Sequence, residues 1–462
     1  MRLTRRSLFA AAAAGAPLLL KAQDRNSDAR VFNVLKYGAL GDGVTVETAA
    51  FQRAIHAAAA NGARAQVLVP RARKYVLGTI ELKSNIDLHL EGDAQLIAST
   101  HREDYRGPAL IIANGAQSLT ISGMGSIDGR AKEFMERFDE QNEIWVPRDW
   151  RPKMFLLTGC HDLVIRDITF GQAPSWGLHM LGCDGVTVDN IKVHNLLNVP
   201  NCDGIDPDHC RNVVISKCHV TSGDDAIVIK SSQQAKDYGV SENIVVRDCV
   251  VETQDAGLKI GTETVGNIRD VRFENCEIRS SGRGLCIQLR DEGNISTVEF
   301  RNIRLMSRYF SDPWWGRGEA ISFTAIPRTA GAKIGVLRHV HVTNVTCKSE
   351  NSVRVCGSPA SRIQDVLLEN VAVRLDKTSP YPGDFFDNRP TTAQRSFERP
   401  GTPGFYISYA DDVTLRNCSV SWGKNIPDYF SYAVEARSVK HLNIEHLKGH
   451  AAHPNQKTTS IT

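Results

Sequence analysis

Leu163-Val164-Ile165-Arg166-Asp167-Ile168 is the hexapeptide whose pattern decides the fold. Apolar residues at 163 and 165 face one way, their neighbours the other, and a polar residue is followed by a further apolar one. The same pattern returns at 186–191, 213–218, 244–249, 271–276, 298–303 and 340–345, and further copies start at Val366, Val413 and Leu442. Successive starts lie 23, 27, 31, 27, 27, 42, 26, 47 and 29 residues apart. Period-two alternation marks strands rather than helices. A strand–turn–strand unit that recurs every ~25 residues reads as one coil of a parallel β-solenoid, in which each coil touches only its neighbours. A leucine-rich repeat has a similar period, but its Leu-x-x-Leu-x-Leu pattern is absent. The polar residue of each copy (Asp167, Asn190, Asn275, Asn302, Asn344, Asn370 and Asn417) is expected to be structural. Asn and Asp tolerate the left-handed backbone of a tight corner and can bond to the next coil.

Working outward, 86–90 and 119–121 read as earlier coils. The segment 48–60, apolar at helical spacing, is predicted to be a helix that caps the N-terminal end of the core. Such a cap is needed because a terminal coil exposes a row of unpaired backbone groups. The two oversized spacings place inserted loops near 309–334, with Trp314 and Trp315, and near 376–404, rich in Pro and Gly. Long loops on a repetitive scaffold tend to wall a binding site. The expected organisation is thus one solenoid domain over 30–462, preceded by a separate leader.

That leader, residues 1–22, has a basic start, an apolar middle and a small-residue end. Arg5-Arg6 followed by Ser-Leu-Phe resembles a twin-arginine export signal, so a bacterial protein exported to the periplasm or beyond is expected. The leader holds Arg2, Arg5, Arg6 and Lys21 and no acid; without it, 51 Lys and Arg stand against 52 Asp and Glu, a net charge of −1. A near-neutral chain without a basic stripe excludes a nucleic-acid footprint as partner. No later segment reaches the ~18 uninterrupted apolar residues of a membrane span. Four of the eleven cysteines (Cys218, Cys249, Cys276 and Cys418) fall at one apolar phase of the repeat, which predicts buried free thiols rather than a bridged scaffold. No Cys or His group has metal-ligand spacing, so neither a structural metal nor a cofactor is expected. The expected form is a monomer.

The chemistry concentrates between residues 201 and 230. Asn201-Cys-Asp203-Gly-Ile-Asp206-Pro-Asp208 leads into one strand-like run, and Gly223-Asp224-Asp225 into another ending at Lys230. Two carboxylate clusters one coil apart should border one cleft, because stacked strands lie about 4.8 Å apart. Paired carboxylates that protonate a leaving group and activate a water are what glycoside hydrolysis requires. Crowding of three acids should raise the pKa of at least one.

With these motifs in place, the chain resembles glycoside hydrolase family 28, the polygalacturonases, which are right-handed parallel β-helices. The entry segment Tyr37-Gly-Ala-Leu-Gly-Asp-Gly43, Gly125-Ser-Ile-Asp-Gly129, Arg151-Pro152 and Ser175-Trp176-Gly-Leu-His179 fit as well, Trp176 being expected to pack. The resemblance implies Asp224 as general acid, and Asp203 with Asp225 as the pair that activates water for an inverting reaction. Asn201 and Lys230 match residues that line the site. It implies a pectic, galacturonate-containing polysaccharide or oligosaccharide as substrate.

Two departures bear on substrate binding. The family's Gly-His-Gly is Asp255-Ala256-Gly257 here, so the histidine that orders the acid is missing. Its Arg-x-Lys, which grips a uronate carboxylate, is Cys286-Ile-Gln288. Gln288 is therefore kept as a substrate contact. Lys259, in the same outward column one coil earlier, and Arg290 at the cleft rim are the candidate replacement cations. Trp314 and Trp315 are expected to stack on sugar faces. Two other functions stay open: a polysaccharide lyase using Lys259 or Arg290, and an inactive carbohydrate-binding solenoid.

Overall fold

A computed structural model describes residues 30–462, and the repeat read from the sequence is the register of its sheet. The export leader at 1–22 lies outside the described residues. Thirty-five strands form one continuous sheet, with parallel pairing between neighbouring coils. Leu163 pairs with Val186, Val186 with Val213 and Val213 with Ile244, and the column runs on through Val271, Val298, Val340, Val366, Val413 and Leu442. The fold is the expected all-β, right-handed parallel β-helix, the hand that parallel crossover connections almost always take.

Like residues stack because each coil repeats its neighbour's geometry. Phe273 and Phe300 lie 4.8 Å apart at 5°, and Phe300 and Phe323 5.5 Å apart at 21°, so an aromatic column runs up the core at about the strand spacing. All seven corner residues singled out above have a left-handed backbone, with φ between 52° and 65°. Their amides also bond from coil to coil: Asn302 to Asn275 at 3.0 Å, Asn344 to Asn302 at 3.1 Å and Asn370 to Asn344 at 2.9 Å. All eleven cysteines are free and buried.

The cap forms as helix Thr48–Ala59, which buries Ala50, Phe51, Ala54, Ile55 and Ala58. Phe51 meets Tyr75 edge-on at 5.2 Å. Its N-terminal residue Glu47 makes no capping bond; its carboxylate instead takes the amide of Gly41 at 2.9 Å, tying the preceding turn to the cap.

The insertions differ from expectation in one respect. The stretch 309–334 is not a single loop, because Glu319–Ala325 is a regular strand of the sheet, paired with Arg283–Leu289 on one side and Asn351–Cys356 on the other. Its Ile321 and Phe323 point inward like any repeat residue, but no hexapeptide motif accompanies them. The second insertion folds back on the sheet and carries a short antiparallel pair, Phe386–Asp387 with Phe397–Glu398. A third excursion, unforeseen from the sequence, is the hairpin Met135–Asp139 with Ile144–Pro147. Together these form walls over one face of the helix, the one built from Leu178–Leu181, Ile205–Asp208, Ile227–Ser231 and Ala256–Thr264.

Candidate active site

Ile205 pairs with Ile227 and Asp208 with Lys230, so the turns that enter these two strands stack directly. Counting back along the register, Asp203 lies opposite Asp225. The amide of Gly204 bonds the carbonyl of Asp225 at 2.9 Å. A Cβ at Gly204 would sit 2.3 Å from the carbonyl oxygen of Ala226, so only glycine lets the two acidic turns close to this distance.

Asp203, Asp224 and Asp225 converge, with carboxylate oxygens within 4.8 Å of one another. That is closer than the ~6.5–9.5 Å expected between an acid and a base that hold a water between them. Asp203 and Asp225 are buried, at 2% and 3% exposure, whereas Asp224 is half-buried and opens into the pocket. Two lysines divide the cluster. Lys230 Nζ lies 2.8 Å from Asp203 and 3.0 Å from Asp206, and Lys259 Nζ 2.7 Å from Asp225. Asp224 has no salt bridge among the described residues; its oxygens take the amides of Asn201 at 3.1 Å and Asp225 at 2.9 Å.

The electrostatics follow from that partition. Burial pulls every carboxyl up, but at Asp203 the Lys230 ammonium outweighs it and holds the group below the ordinary carboxylate range. At Asp206 burial wins, reinforced by the Asp203 charge, and its carboxyl is pushed well up. Asp224 is raised to about 7 by burial and then by Asp203 and Asp225. Asp225 is also raised to about 7, burial exceeding the pull of Lys259. Burial works against the Lys230 ammonium too, yet Asp203 and Asp206 push its pKa well above the usual lysine value. The raised carboxyls Asp206, Asp224 and Asp225 all favour protonation as pH approaches neutrality, and Asp224 differs from the other two in having no cation beside it and in opening to the pocket.

The pocket encloses about 240 Å³ and is walled by Trp176, Trp314, Trp315, Ile144 and Glu263 above the acids. Trp176 does more than pack: two ammonium groups lie against its half-buried ring, Lys153 at 3.8 Å and Lys230 at 3.7 Å from its centre. Trp315 is half-buried and presents the accessible ring, while Trp314 is 3% exposed and mostly beneath its own loop. Asn201 is exposed at the rim, its turn pinned by Arg151, which donates to Asn201 Oδ1 at 2.8 Å and to the Pro200 carbonyl at 2.7 Å.

Two expected contacts are not in this pocket. Arg290 is fully buried rather than at the rim, donating to Thr324 Oγ1 at 3.0 Å and to the Asn388 carbonyl at 3.2 Å. Gln288 is 1% exposed and donates to the Arg389 carbonyl at 3.0 Å. The insertion from 376 to 404 covers both, which no local pattern around them reveals. The cation at the rim beside Asp291 is Arg328, at 2.6 Å. No local motif marks Asp255 as a site residue, yet it lines the pocket, and burial raises it to about 7 against Lys259 and Arg283. It stands next to Ala256, where the family histidine is lost.

The same three carboxylates are close enough to ligate a cation. Their lysines argue against it, since Lys230 and Lys259 already neutralise two of the three and would repel a divalent ion. The residues present do not fit a metal site.

The profile of "Glycosyl hydrolases family 28" matches residues 60–381, which contain every residue of this pocket. The chain belongs to that family. A "Probable polygalacturonase" of Vitis vinifera is 29% identical over 270 residues, 53% of this chain and 54% of the relative. The chain thus spans about half the length of the curated relatives it matches. Among solved structures, a hyperthermoactive exopolygalacturonase from Thermotoga maritima superposes with a TM-score of 0.60 at 25% identity, covering 75% of this chain and 87% of that one. A family 28 exopolygalacturonase from Yersinia enterocolitica has a TM-score of 0.67 at 18% identity, covering 90% and 78%, and shares the fold.

Proposed function

We propose that this family 28 chain is a glycoside hydrolase of pectic, galacturonate-containing polysaccharide or its fragments. One observation carries the reading: of three converging carboxylates, two are each held by a lysine, and the third, Asp224, has no cation beside it and opens to the pocket. Asp224 gives its proton to the departing glycosidic oxygen. Asp203 and Asp225 orient a water and take its proton, so the new anomeric C–O bond forms as the old one breaks. The substrate class is supported by the family and by the printed names of its relatives.

The proposed stereochemical outcome is inversion, and the short spacing makes this the point to measure. Proton NMR of the first-formed anomer decides it; retention would make one of the three aspartates a nucleophile. A lyase is disfavoured because Lys230 and Lys259 are held protonated by their acids and Arg290 is buried away from the pocket. An increase in reducing ends without unsaturated product supports hydrolysis, and the reverse pattern refutes it. Binding to pectic polymers with no new reducing ends would instead favour a carbohydrate-binding solenoid. The reading includes export of a monomer through the leader at 1–22, which N-terminal sequencing and sedimentation of the mature protein test.

A further inference from the structure

One outward column of side chains runs the length of the catalytic face. In register it passes from Glu81 to Ile112, Leu156 and His179, and beyond the acids from Lys259 to Cys286, Ser322 and Arg354. On the N-terminal side Glu81, Ile112 and Leu156 are partly open to solvent, and only His179, the position next to the acids, is buried, beside the Trp176 ring. On the C-terminal side Cys286, Ser322 and Arg354 are at most 1% exposed, and the next two positions, Tyr406 and Glu435, stay at 5% or below. The face is therefore a groove on one side of the acids and is roofed on the other.

The roof is the insertion from 376 to 404, and it is fixed to the sheet. Asp387 and Asn388 are fully buried. Asp387 accepts from the Gly316 amide at 3.0 Å and lies 3.5 Å from Arg283. Asn388 takes Arg290 on its carbonyl and Arg354 on its side chain. Arg389 reaches back to the Trp314 carbonyl at 2.8 Å, joining the roof to the loop that carries the pocket tryptophans. Across the cleft, Tyr381 donates to Glu143 of the hairpin at 2.7 Å. A polymer lying along the acids would have to pass through this plate.

We infer that the pocket is blind at its C-terminal end and accepts only a chain terminus, so that the enzyme removes a product of fixed small size from one end of its substrate. The inference rests on the hydrolase reading above and adds the mode of attack. Its bond chemistry is unchanged: water adds across one glycosidic bond, at a fixed distance from the chain terminus.

The test uses the wild-type protein on polygalacturonate and on galacturonate oligomers of defined length labelled at the reducing end. Expected from the first time points is one small product size, with the viscosity of the polymer nearly unchanged. The oligomers should shorten stepwise from one end only. A series of mixed fragment lengths with early viscosity loss would overturn blind-end attack and leave hydrolysis standing. No new reducing ends on any pectic substrate would overturn both. Replacing 384–398 with a short Gly-Ser link should open the groove and lower the share of the fixed-size product several-fold. A shortened variant with wild-type circular dichroism and the original single product would overturn the role of the roof.

Discussion

Replacing Asp224 with Asn should make the protein a poor catalyst and, above neutral pH, a more stable molecule. Burial and the charges of Asp203 and Asp225 raise this carboxyl from 3.8 to about 7. Moving a carboxyl by that much corresponds to about 4 kcal/mol against the ionised folded state. Asp224 is partly open to the pocket, so a gain of about 1–3 kcal/mol is the reasonable expectation. The sign follows from linkage. A carboxyl with a raised folded pKa is harmless below its unfolded value, loses stability as pH rises between the two, and carries the whole penalty above about 7. Urea denaturation at about pH 4 should therefore show little difference between variant and wild type, and at about pH 8 the variant should unfold later. Reducing-end assays should show a loss of about 10²–10⁴-fold, the contribution of a positioned general acid. A variant less stable than wild type at the higher pH, or equally stabilised at both, would refute the electrostatic account. Retained turnover would refute the assignment of the acid.

Three further outcomes follow from the same geometry. Lys230→Met leaves Asp203 and Asp206 buried without their cation, so we expect a loss of about 3–5 kcal/mol in denaturant unfolding and an acid limb of the pH–rate profile displaced upward. Trp315→Ala removes the accessible ring and should raise KM by a few-fold up to about tenfold at nearly constant kcat, as loss of about 0.5–1.5 kcal/mol of aromatic stacking would give. All eleven cysteines are free and buried, so a thiol reagent should titrate almost none in the native protein and eleven in denaturant.

The solenoid was legible because each coil must bury the same face, and so the hexapeptide at 163–168 returns wherever a coil does. Asp203, Asp224, Asp225, Lys230 and Lys259 were legible for a related reason: register alone brings them together. What failed is what register does not govern. Arg290 reads as a rim cation because it follows a strand, yet Asn388, just past the short strand Phe386–Asp387, lies over it and turns an outward side chain into a buried one. The strand Glu319–Ala325 was hidden because its coil lacks the corner motif, although its inward Ile321 and Phe323 obey the alternation. Trp176 looked like a packing residue because nothing local signals that Lys153 and Lys230, from two other strands, will lie against its ring.

The close fit at Gly204 has a wider implication. The turns that carry Asp203 and Asp225 are held at the hydrogen-bonded spacing of the backbone itself, not by the lengths of chosen side chains or by a flexible domain joint. The reactive centre behaves like a fixed axle on which different rims can be mounted. Changing the walls at 135–147, 309–318 or 376–404 can reshape the pocket without disturbing the spacing of the acidic turns beneath it.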